Sequence, residues 1–513
     1  MNISPGIASI VGSLLGLGAC CTPAIGSDVR IEHVTIVSPE RTHPMRDATV
    51  YIEDGRIASI EHGAAAASSS PARSVSATVV DGRGLYLAPG LIDSHVHVSD
   101  IPGMTAEQEQ AHRDLARAAR EQVPKSYLYF GFTTLVDLIS TPMQVDEWNA
   151  HNIRPDLHFC GAAPLLDGYP MNWIPKPQRY EQFPYLVIEK GDAVTAPAGL
   201  DPAKHTPEAV VARIKADGAL CVKTVFERGF GQARDLPVPR LETIQALVRA
   251  AHAAGMPVYL HANGSEAQEF ALDAGVDIIA HGLWRWNGER PSASDLTPGV
   301  KALLDRIASA RIGWQPTIQV LYGELELFNP TYLSDPRLRR VLPPELIAWY
   351  ASPEGQWFRN VLASGVLPRS DSKANDAAEY AVVRSAYRVP IERNVGATAY
   401  LAKQNARLLF GSDTPSAPTY ANPPGLNGWI EMRRLVEAGL TPAQVFRAAT
   451  LSNAEALGLQ REIGSITVGK SANLLLLREN PQQHVDAYDE ITKVIVHGEI
   501  FDRADLAADR GQN

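Results

Sequence analysis

A chain of 513 residues, 45% hydrophobic and 20% charged, has the balance of an ordinary globular protein and can bury a large core. A formal net charge of -10 and the lack of a long basic run argue against nucleic-acid binding. The four cysteines show no Cys-x-x-Cys spacing and are too few for a disulfide framework. We interpret two of them, Cys160 and Cys221, as small core residues because each lies in an apolar run.

The first segment, Ile3–Ala19, is apolar, carries no charge and is short for a membrane span. It is typical of the apolar core of an export signal, although no basic residues precede it. The sequence LGAC (Leu17–Cys20) resembles a bacterial lipoprotein cleavage box, which makes Cys20 a candidate lipid anchor, and AIG (Ala24–Gly26) fits an ordinary signal peptidase site. We therefore expect residues 1–26 to direct export to the periplasm or the membrane; the alternatives are a misassigned start and a disordered tail.

Both ends of the remaining chain are rich in short strands. Residues 27–88 contain strand patterns joined by a tight turn at Asp54-Gly55, and residues 456–513 show the same character with glycine turns. We expect the two ends to form one small β domain of the sandwich type.

Between them, residues 89–455 alternate apolar strand patterns with helical ones. The clearest helical patterns are 115–131 and 240–255. The eight strand candidates are 90–96, 133–138, 156–161, 220–225, 257–262, 277–282, 312–318 and 406–413. Eight such units predict an α/β fold, a (β/α)8 TIM-type barrel, with insertions at 162–210 and 321–400 that would shape its mouth.

Polar residues interrupt these apolar runs near their carboxyl ends. They are His95, His97, Lys223, His261, His281 and Asp413. In a parallel barrel those ends share one face, and the i, i+2 spacing of His95 and His97 points both imidazoles the same way. A single strand histidine is more often a core residue, and a lone aspartate at a strand end is more often a helix cap. Six together, with nitrogen and oxygen donors, favour a site for zinc or another divalent transition metal.

With these residues in this order, the sequence resembles the metal-dependent amidohydrolase superfamily over most of residues 29–505. PGLIDSHVHV resembles its first-strand HxH signature, and GFTTLVDL its second strand. The stretch from His261 to Gly282 resembles its paired fifth- and sixth-strand histidines, and LLFGSDT its eighth-strand aspartate. The stretch AATLSNAEALGLQREIGSITVGKSANLLLL matches the point where the chain leaves the barrel.

The resemblance implies a site for two divalent metal ions, with zinc as the expected metal. His95, His97 and Asp413 resemble the ligands of the buried ion, and His261 and His281 those of the second. Lys223 lies where two-metal members carry a lysine carbamylated by CO2, which would turn a costly buried cation into an anionic bridge. The alternative is that Lys223 pairs with Glu227 or Asp413.

The implied reaction is hydrolysis of a C–N bond, most simply an amide, by a metal-bridging hydroxide. Asp413 would be the catalytic group that takes the proton from the nucleophile and gives it to the leaving amine. Two alternatives stay open: a lactone, carbamate or phosphotriester hydrolase on the same site, and a non-catalytic binding protein of the same fold.

Several positions depart from the family pattern. Asn263 replaces the second histidine of a common HAHG sequence, and Asn473 stands where an aspartate is usual. Ring deaminases usually carry a glutamate three residues after the fifth-strand histidine, where this chain has Gly264 and a glutamate only at Glu266. The chain looks more like the imidazolonepropionase-like branch, which includes Xaa-Pro dipeptidases and hydrolases of ochratoxin-like N-acyl amino acids.

A dipeptide or N-acyl amino acid is therefore the expected small-molecule substrate. Arg228 and Arg285 are candidates for binding its carboxylate, with exposed loop charges as the alternative. Asn263, Trp284 and Tyr169 are further candidate contacts, and Trp173 and Trp286 could add to an apolar pocket or pack the insertions. The long insertions are also compatible with a homo-oligomer.

Overall fold

The computed structural model describes residues 28–63, 77–189, 191, 196–230, 234–286, 295–366, 376–416 and 418–510. The segment predicted to direct export, including Cys20, lies outside these residues.

The structure is an α/β fold. Its strands are β1 (Val29–Ile36), β2 (Met45–Glu53), β3 (Arg56–His62), β4 (Thr78–Asp81), β5 (Tyr86–Pro89), β6 (Leu91–Val96), β7 (Phe132–Asp137), β8 (Asp156–Ala162), β9 (Cys221–Val225), β10 (Val258–His261), β11 (Ile278–Ala280), β12 (Gly313–Gln315), β13 (Leu474–Leu477), β14 (Ile491–Val496) and β15 (Glu499–Asp502).

The helices are α1 (Ala106–Ala111), α2 (Arg113–Tyr129), α3 (Pro142–Asn149), α4 (Lys176–Gln182), α5 (Pro207–Ala216), α6 (Leu241–Ala253), α7 (Ser265–Ala274), α8 (Pro298–Ala310), α9 (Gln319–Glu326), α10 (Leu338–Val341), α11 (Pro344–Tyr350), α12 (Trp357–Val366), α13 (Asp376–Lys403), α14 (Leu426–Glu437), α15 (Pro442–Arg447), α16 (Asn453–Ala456) and α17 (Arg503–Leu506). The two clearest helical patterns of the sequence form α2 and α6. Among the helices so described, none is long and apolar enough to cross a membrane.

The two ends of the chain build one eight-stranded sheet, as expected. Its order is β15-β14-β13-β5-β1-β2-β3, and β4 pairs with β1. The side chains of β13 show how this sheet meets the barrel, because successive side chains of a strand point to opposite faces of the sheet. Leu474 and Leu476 pack inside the small domain, whereas Leu475 and Leu477 join the large core shared with α2 and β7.

The central sheet is parallel and runs in the order β12-β11-β10-β9-β8-β7-β6. The eighth predicted strand, 406–413, is not a regular strand, yet it lies between β12 and β6 and closes the barrel. Leu409 donates its backbone N–H to Trp314 (3.0 Å), and Asp413 donates to His95 (2.7 Å). The ladder is interrupted near its end, where Asp413 has a left-handed backbone conformation with φ +56°.

Cys160 and Cys221 are buried, as their apolar surroundings predicted, but they also form a disulfide. The interpretation of both as small core residues is confirmed by their burial, but it did not include this bond. They face each other because the parallel register of β8 and β9 places them directly opposite, with 4.4 Å between their Cα atoms.

The insertion 321–400 contributes most of α9 through α13. Its last helix, α13, docks against the barrel just beyond His281. The amide of Asn394 donates to the carbonyl of Pro316 (3.0 Å) and occupies the space where a side chain at Gly282 would lie. The other insertion, 162–210, carries α4 and the start of α5.

Candidate metal site

Three predicted ligands converge at the mouth of the barrel. The Nε2 atoms of His95 and His97 lie 3.0 and 3.1 Å from the same carboxylate oxygen, Oδ1 of Asp413. Their ligand atoms all lie within 4.8 Å of one another. The approach depends on Gly411, because a Cβ there would lie 2.7 Å from the Cβ of His95. Two imidazoles and a carboxylate in this arrangement form a donor set suited to a divalent transition metal.

The protonation states also suit a metal. Burial lowers the pKa of His95 to about 4, and nearby Lys223 contributes, although Asp413 opposes the shift. Burial would raise the pKa of the Asp413 carboxyl, but the charges and hydrogen bonds of the neighbouring histidines hold it well below its usual range. At neutral pH the site therefore presents a neutral His95 and an ionised carboxylate, the forms that coordinate metals.

The other two histidines extend this cluster. The ring centroids of His261 and His281 are 4.4 Å apart, and that of His281 is 5.0 Å from His95. His281 Nδ1 lies 3.2 Å from the hydroxyl of Thr317 and 3.6 Å from Oδ2 of Asp413, so the imidazole borders the first three ligands. His281 and Thr317 follow β11 and β12 with φ of +79° and +42°. Such left-handed backbone at non-glycine residues is rare and concentrates at functional sites.

Lys223, on β9, is 4% exposed, and its Nζ has no hydrogen-bond partner in the described structure. Burial lowers the pKa of this amine to about 7, against the opposing charge of Asp413. A buried amine without a partner is costly, and a carbamate on this nitrogen coordinated to metal would remove that cost. The residues therefore fit a carbamate bridge. The alternative pairing with Glu227 is not seen, because Glu227 bonds to Arg285.

Glu227 is a site residue that the sequence did not single out as functional. Its buried carboxylate lies 3.5 Å from His261 Nε2, and it accepts a hydrogen bond from Arg285. Burial would raise its pKa, but His261 and Arg285 lower it to about 2. Asn263 also contacts His261 Nε2 (3.3 Å) and accepts from Arg285 Nη2 (2.6 Å). This network orients the ring of His261 and leaves its Nδ1 for a metal.

Both candidate arginines have carboxylate partners within the chain. Arg285 donates to Glu227, to Asn263 and to the carbonyl of Gly229. Arg228 forms a two-point pair with Glu266 (2.8 and 3.3 Å), and both side chains are about half exposed. Arg285 is thus part of the network around His261, and Arg228 lies in an ion pair at the surface.

Two of the predicted aromatic residues contact the candidate ligands. The ring of Tyr169 lies 5.2 Å from His261, and that of Trp284 lies 5.6 Å from His281. Trp286 instead packs under Arg393 (4.5 Å), and Trp173 is 63% exposed. Tyr169 and Trp284 therefore line the site. Gln315, which the sequence did not single out, accepts from His95 Nδ1 (3.1 Å) and leaves Nε2 for the metal.

Comparison with known proteins gives a family match and several similar folds. The model of the Amidohydrolase family matches residues 86–284 and 358–501. A solved Xaa-Pro dipeptidase with bound methionine superposes with a TM-score of 0.60 at 20% identity, covering 93% of this chain and 100% of that chain. The ochratoxinase of A. niger gives a TM-score of 0.61 at 19% identity, covering 93% and 96%. At these identities the likeness shows the fold.

Curated relatives match shorter stretches. An imidazolonepropionase of Symbiobacterium thermophilum is 31% identical over 99 residues, 18% of this chain and 22% of that protein. An adenine deaminase of Roseobacter denitrificans is 25% identical over 227 residues, 40% of this chain and 37% of that protein. The chain thus spans well under half the length of these relatives. The family model, in contrast, matches most of this chain, and on that match the chain belongs to the Amidohydrolase family. Members of this family are metal-binding hydrolases that act on C–N bonds.

Proposed function

We propose that the chain is a two-metal amide hydrolase whose substrate is a dipeptide or an N-acyl amino acid. The observation that carries this proposal is Lys223: its buried, unpartnered amine is on the strand beside the one that ends in His261. With His95, His97 and Asp413 on one side and His261 and His281 on the other, a carbamate there would bridge two ions. The donor set of imidazoles and carboxylates favours zinc.

Divalent metals held there would lower the pKa of a water and polarise the scissile carbonyl. The protein's own residues would then manage the proton. The Asp413 carboxylate is ionised and lies at the centre of the cluster, so it can accept the proton of the attacking water and pass it to the leaving amine. Tyr169 and Trp284 would shield the reaction from bulk water.

The choice of an amide follows the solved relatives, which include proteins described as a Xaa-Pro dipeptidase and an ochratoxinase. A deaminase is less well supported. Glu266, the glutamate nearest to the position where deaminases carry theirs, is about half exposed and pairs with Arg228 on the surface.

The test is a hydrolysis screen of zinc-loaded protein with dipeptides, N-acyl amino acids, aryl amides and lactones. Turnover of amides is expected; turnover of lactones alone would reject the proposal. Lys223→Ala should lose metal and activity, with partial rescue by short carboxylic acids. The exposed Lys215→Ala is the matched control and should behave as wild type. Full activity of Lys223→Ala would reject the carbamate bridge.

We also propose that the protein is exported. Its apolar Ile3–Ala19 segment supports this, and so does the Cys160–Cys221 disulfide, because disulfides persist mainly in oxidising compartments. Cell fractionation with mass spectrometry of the mature N-terminus tests it. Recovery of an uncleaved chain in the cytoplasm with reduced cysteines would contradict it.

A further inference from the structure

The Cys160–Cys221 disulfide lies inside the barrel, next to Lys223. Both cysteines are fully buried in a cluster that also contains Val136 of β7 and Ile278 of β11. These two strands are not neighbours in the sheet, so their side chains share a cluster through the interior of the barrel. Cys221 and Lys223 are two residues apart on β9 and therefore point to the same face. The disulfide thus forms the interior layer just beneath the Lys223 side chain.

The barrel sheet changes partners at the same place. On β8, residues 156–159 pair with β7, whereas residues 160–162 pair with β9. The two ladders do not overlap, so β8 is the junction between two parts of the sheet. The first part carries His95 on β6, and the second carries Lys223 on β9 and His261 on β10. On this side of the barrel, the two halves of the candidate metal site are therefore joined through β8.

The pairing across this junction is short. β8 and β9 pair over three residues, and the middle one on β8 is Gly161. Glycine is needed there because a Cβ would lie 2.4 Å from Ile214 of α5, but a glycine inside a strand weakens it. Backbone hydrogen bonds continue on both sides of the ladder. The disulfide adds a covalent link at the first of the three pairs and so fixes the separation of the two strands.

Lys223 depends on its neighbours for its position. Its Nζ has no hydrogen-bond partner in the part of the chain that the structure describes. The strand register places Ala162 of β8 on one side of it and Tyr259 of β10 on the other, and the disulfide lies beneath. Because the lysine stem is flexible and its amine is unpartnered, packing alone selects its conformation. A shift of β9 against β8 would therefore move the amine relative to the ligands on β6.

We propose that the Cys160–Cys221 disulfide positions Lys223 relative to the ligands on β6, so that the chain holds its second metal ion tightly only after this bond has formed. The inference rests on the two-metal site of the proposed function and adds a maturation step to it. Both cysteines are 0% exposed, so the bond forms before the barrel closes. In this step the two thiols lose two protons and two electrons, and the disulfide of a thiol oxidoreductase or of glutathione is reduced to two thiols.

The test compares the oxidised and reduced forms of one chain. All proteins carry Cys20→Ser and Cys21→Ser, which leaves the two cysteines of the bond as the only ones. The chain is unfolded with reductant, freed of metal and refolded with either oxidised glutathione or a phosphine reductant. Thiol titration then verifies that the two forms have no free thiols and two free thiols, respectively.

Zinc affinity is measured by competition with a chelator, and bound zinc is counted by elemental analysis. We expect the oxidised form to hold two ions. The reduced form should bind the second ion about 10- to 100-fold more weakly, the usual effect of losing a group that positions a ligand. Affinity for the first ion should not change, because His95, His97 and Asp413 lie outside β8 and β9.

Two variants separate positioning from stability. Cys160→Ala combined with Cys221→Ala should show the weakened second ion under both refolding conditions, which shows that zinc bound by free thiols does not cause the difference. Val136→Ala removes packing from the same cluster but keeps the bond. It should lower the unfolding midpoint and leave the affinity for both ions unchanged.

Several results would overturn the inference. They are two tightly bound ions in the reduced form or in the double alanine variant, an equal loss of affinity for both ions, and the same selective loss in Val136→Ala. If neither the reduced form nor the double alanine variant folds, the bond serves the whole fold, and the specific role in positioning Lys223 is wrong.

The proposed function and this inference can fail separately. If the oxidised chain holds two ions, loses the second on reduction and hydrolyses no amide, the proposed amide hydrolysis is wrong and the positioning role stands. If both forms hold two ions and hydrolyse amides alike, amide hydrolysis stands and the inference is wrong. If the oxidised chain holds no metal, both are wrong.

Discussion

Replacing Glu227 with glutamine tests whether the network around His261 holds the site together. Loss of one partner of a buried ion pair costs about 3–5 kcal/mol. The Glu227 side chain is only 2% exposed, but that of Arg285 is 36% exposed, so solvent screens part of the interaction. Glutamine can still accept one hydrogen bond. We therefore expect a loss of about 1–3 kcal/mol in the free energy of unfolding.

The same change should weaken metal binding by about 10- to 100-fold, because a carboxylate that orients a ligand histidine also raises its basicity. Urea unfolding and chelator competition measure the two effects. The matched control is Glu266→Gln, which breaks the neighbouring but exposed pair with Arg228; we expect at most about 1 kcal/mol and unchanged metal affinity. Wild-type stability and metal affinity in Glu227→Gln would refute the role of the network.

Two further predictions concern packing and pH. Gly282→Ala should destabilise the fold by about 1–3 kcal/mol in urea unfolding, because its methyl group meets the Asn394 amide. Adding Asn394→Ala should recover part of this loss. Strictly additive effects of the two substitutions on the free energy of unfolding would contradict the contact. The hydrogen bond from His497 to Asp156 (2.7 Å) raises the pKa of the imidazole above 6.5. Burial would raise the pKa of the Asp156 carboxyl, but the hydrogen bonds from His497 and Asn473 lower it below 3.8. Because its pKa is raised on folding, His497 adds to the stability of the fold below pH 6.5, and this contribution is lost as the pH rises through its folded pKa. Because its pKa is lowered on folding, Asp156 adds to the stability above pH 3.8, and this contribution is lost on acidification. Asparagine tolerates the φ of +48° at this position, so His497→Asn is a suitable variant. It should lose stability mainly between about pH 4 and 6.5, by under about 1 kcal/mol because the pair is partly exposed. An equal loss at pH 9 would contradict this reasoning.

The cluster of candidate ligands could be predicted from the sequence because each member lies near the carboxyl end of an apolar run. Strand direction alone then places His95, His261 and Asp413 on one face of a barrel. Glu227 gave no such signal. It lies in a loop two residues beyond β9, and its partner Arg285 is 58 residues away in the chain. Only the folded backbone brings the two side chains together.

The disulfide was missed for a related reason. The residue types and spacing of Cys160 and Cys221 say nothing about which residues of β8 and β9 stand opposite each other, and a shift by one residue would separate them. The eighth strand was predicted in the right place but not with its interruption, because the left-handed conformation of Asp413 and its bond to His95 on β6 leave no mark in the apolar pattern.

Asn473 shows a departure from the family pattern that proved structural. It lies at the start of the small-domain strand β13 and donates to Asp156 on the barrel strand β8 (2.8 Å). Its Oδ1 accepts the backbone N–H of His497 (2.9 Å). The asparagine thus joins the small domain to the barrel, far from the metal ligands.

The central claim is that the barrel mouth holds two metal ions bridged through Lys223. The most direct test is the number of divalent ions bound per chain after loading with zinc and removal of excess metal, measured by elemental analysis in wild type and in Lys223→Ala. We predict two ions in the wild type and at most one in the variant, with the Lys215→Ala control retaining two. A wild-type chain that binds no metal, or a Lys223→Ala chain that retains both ions, would contradict the account.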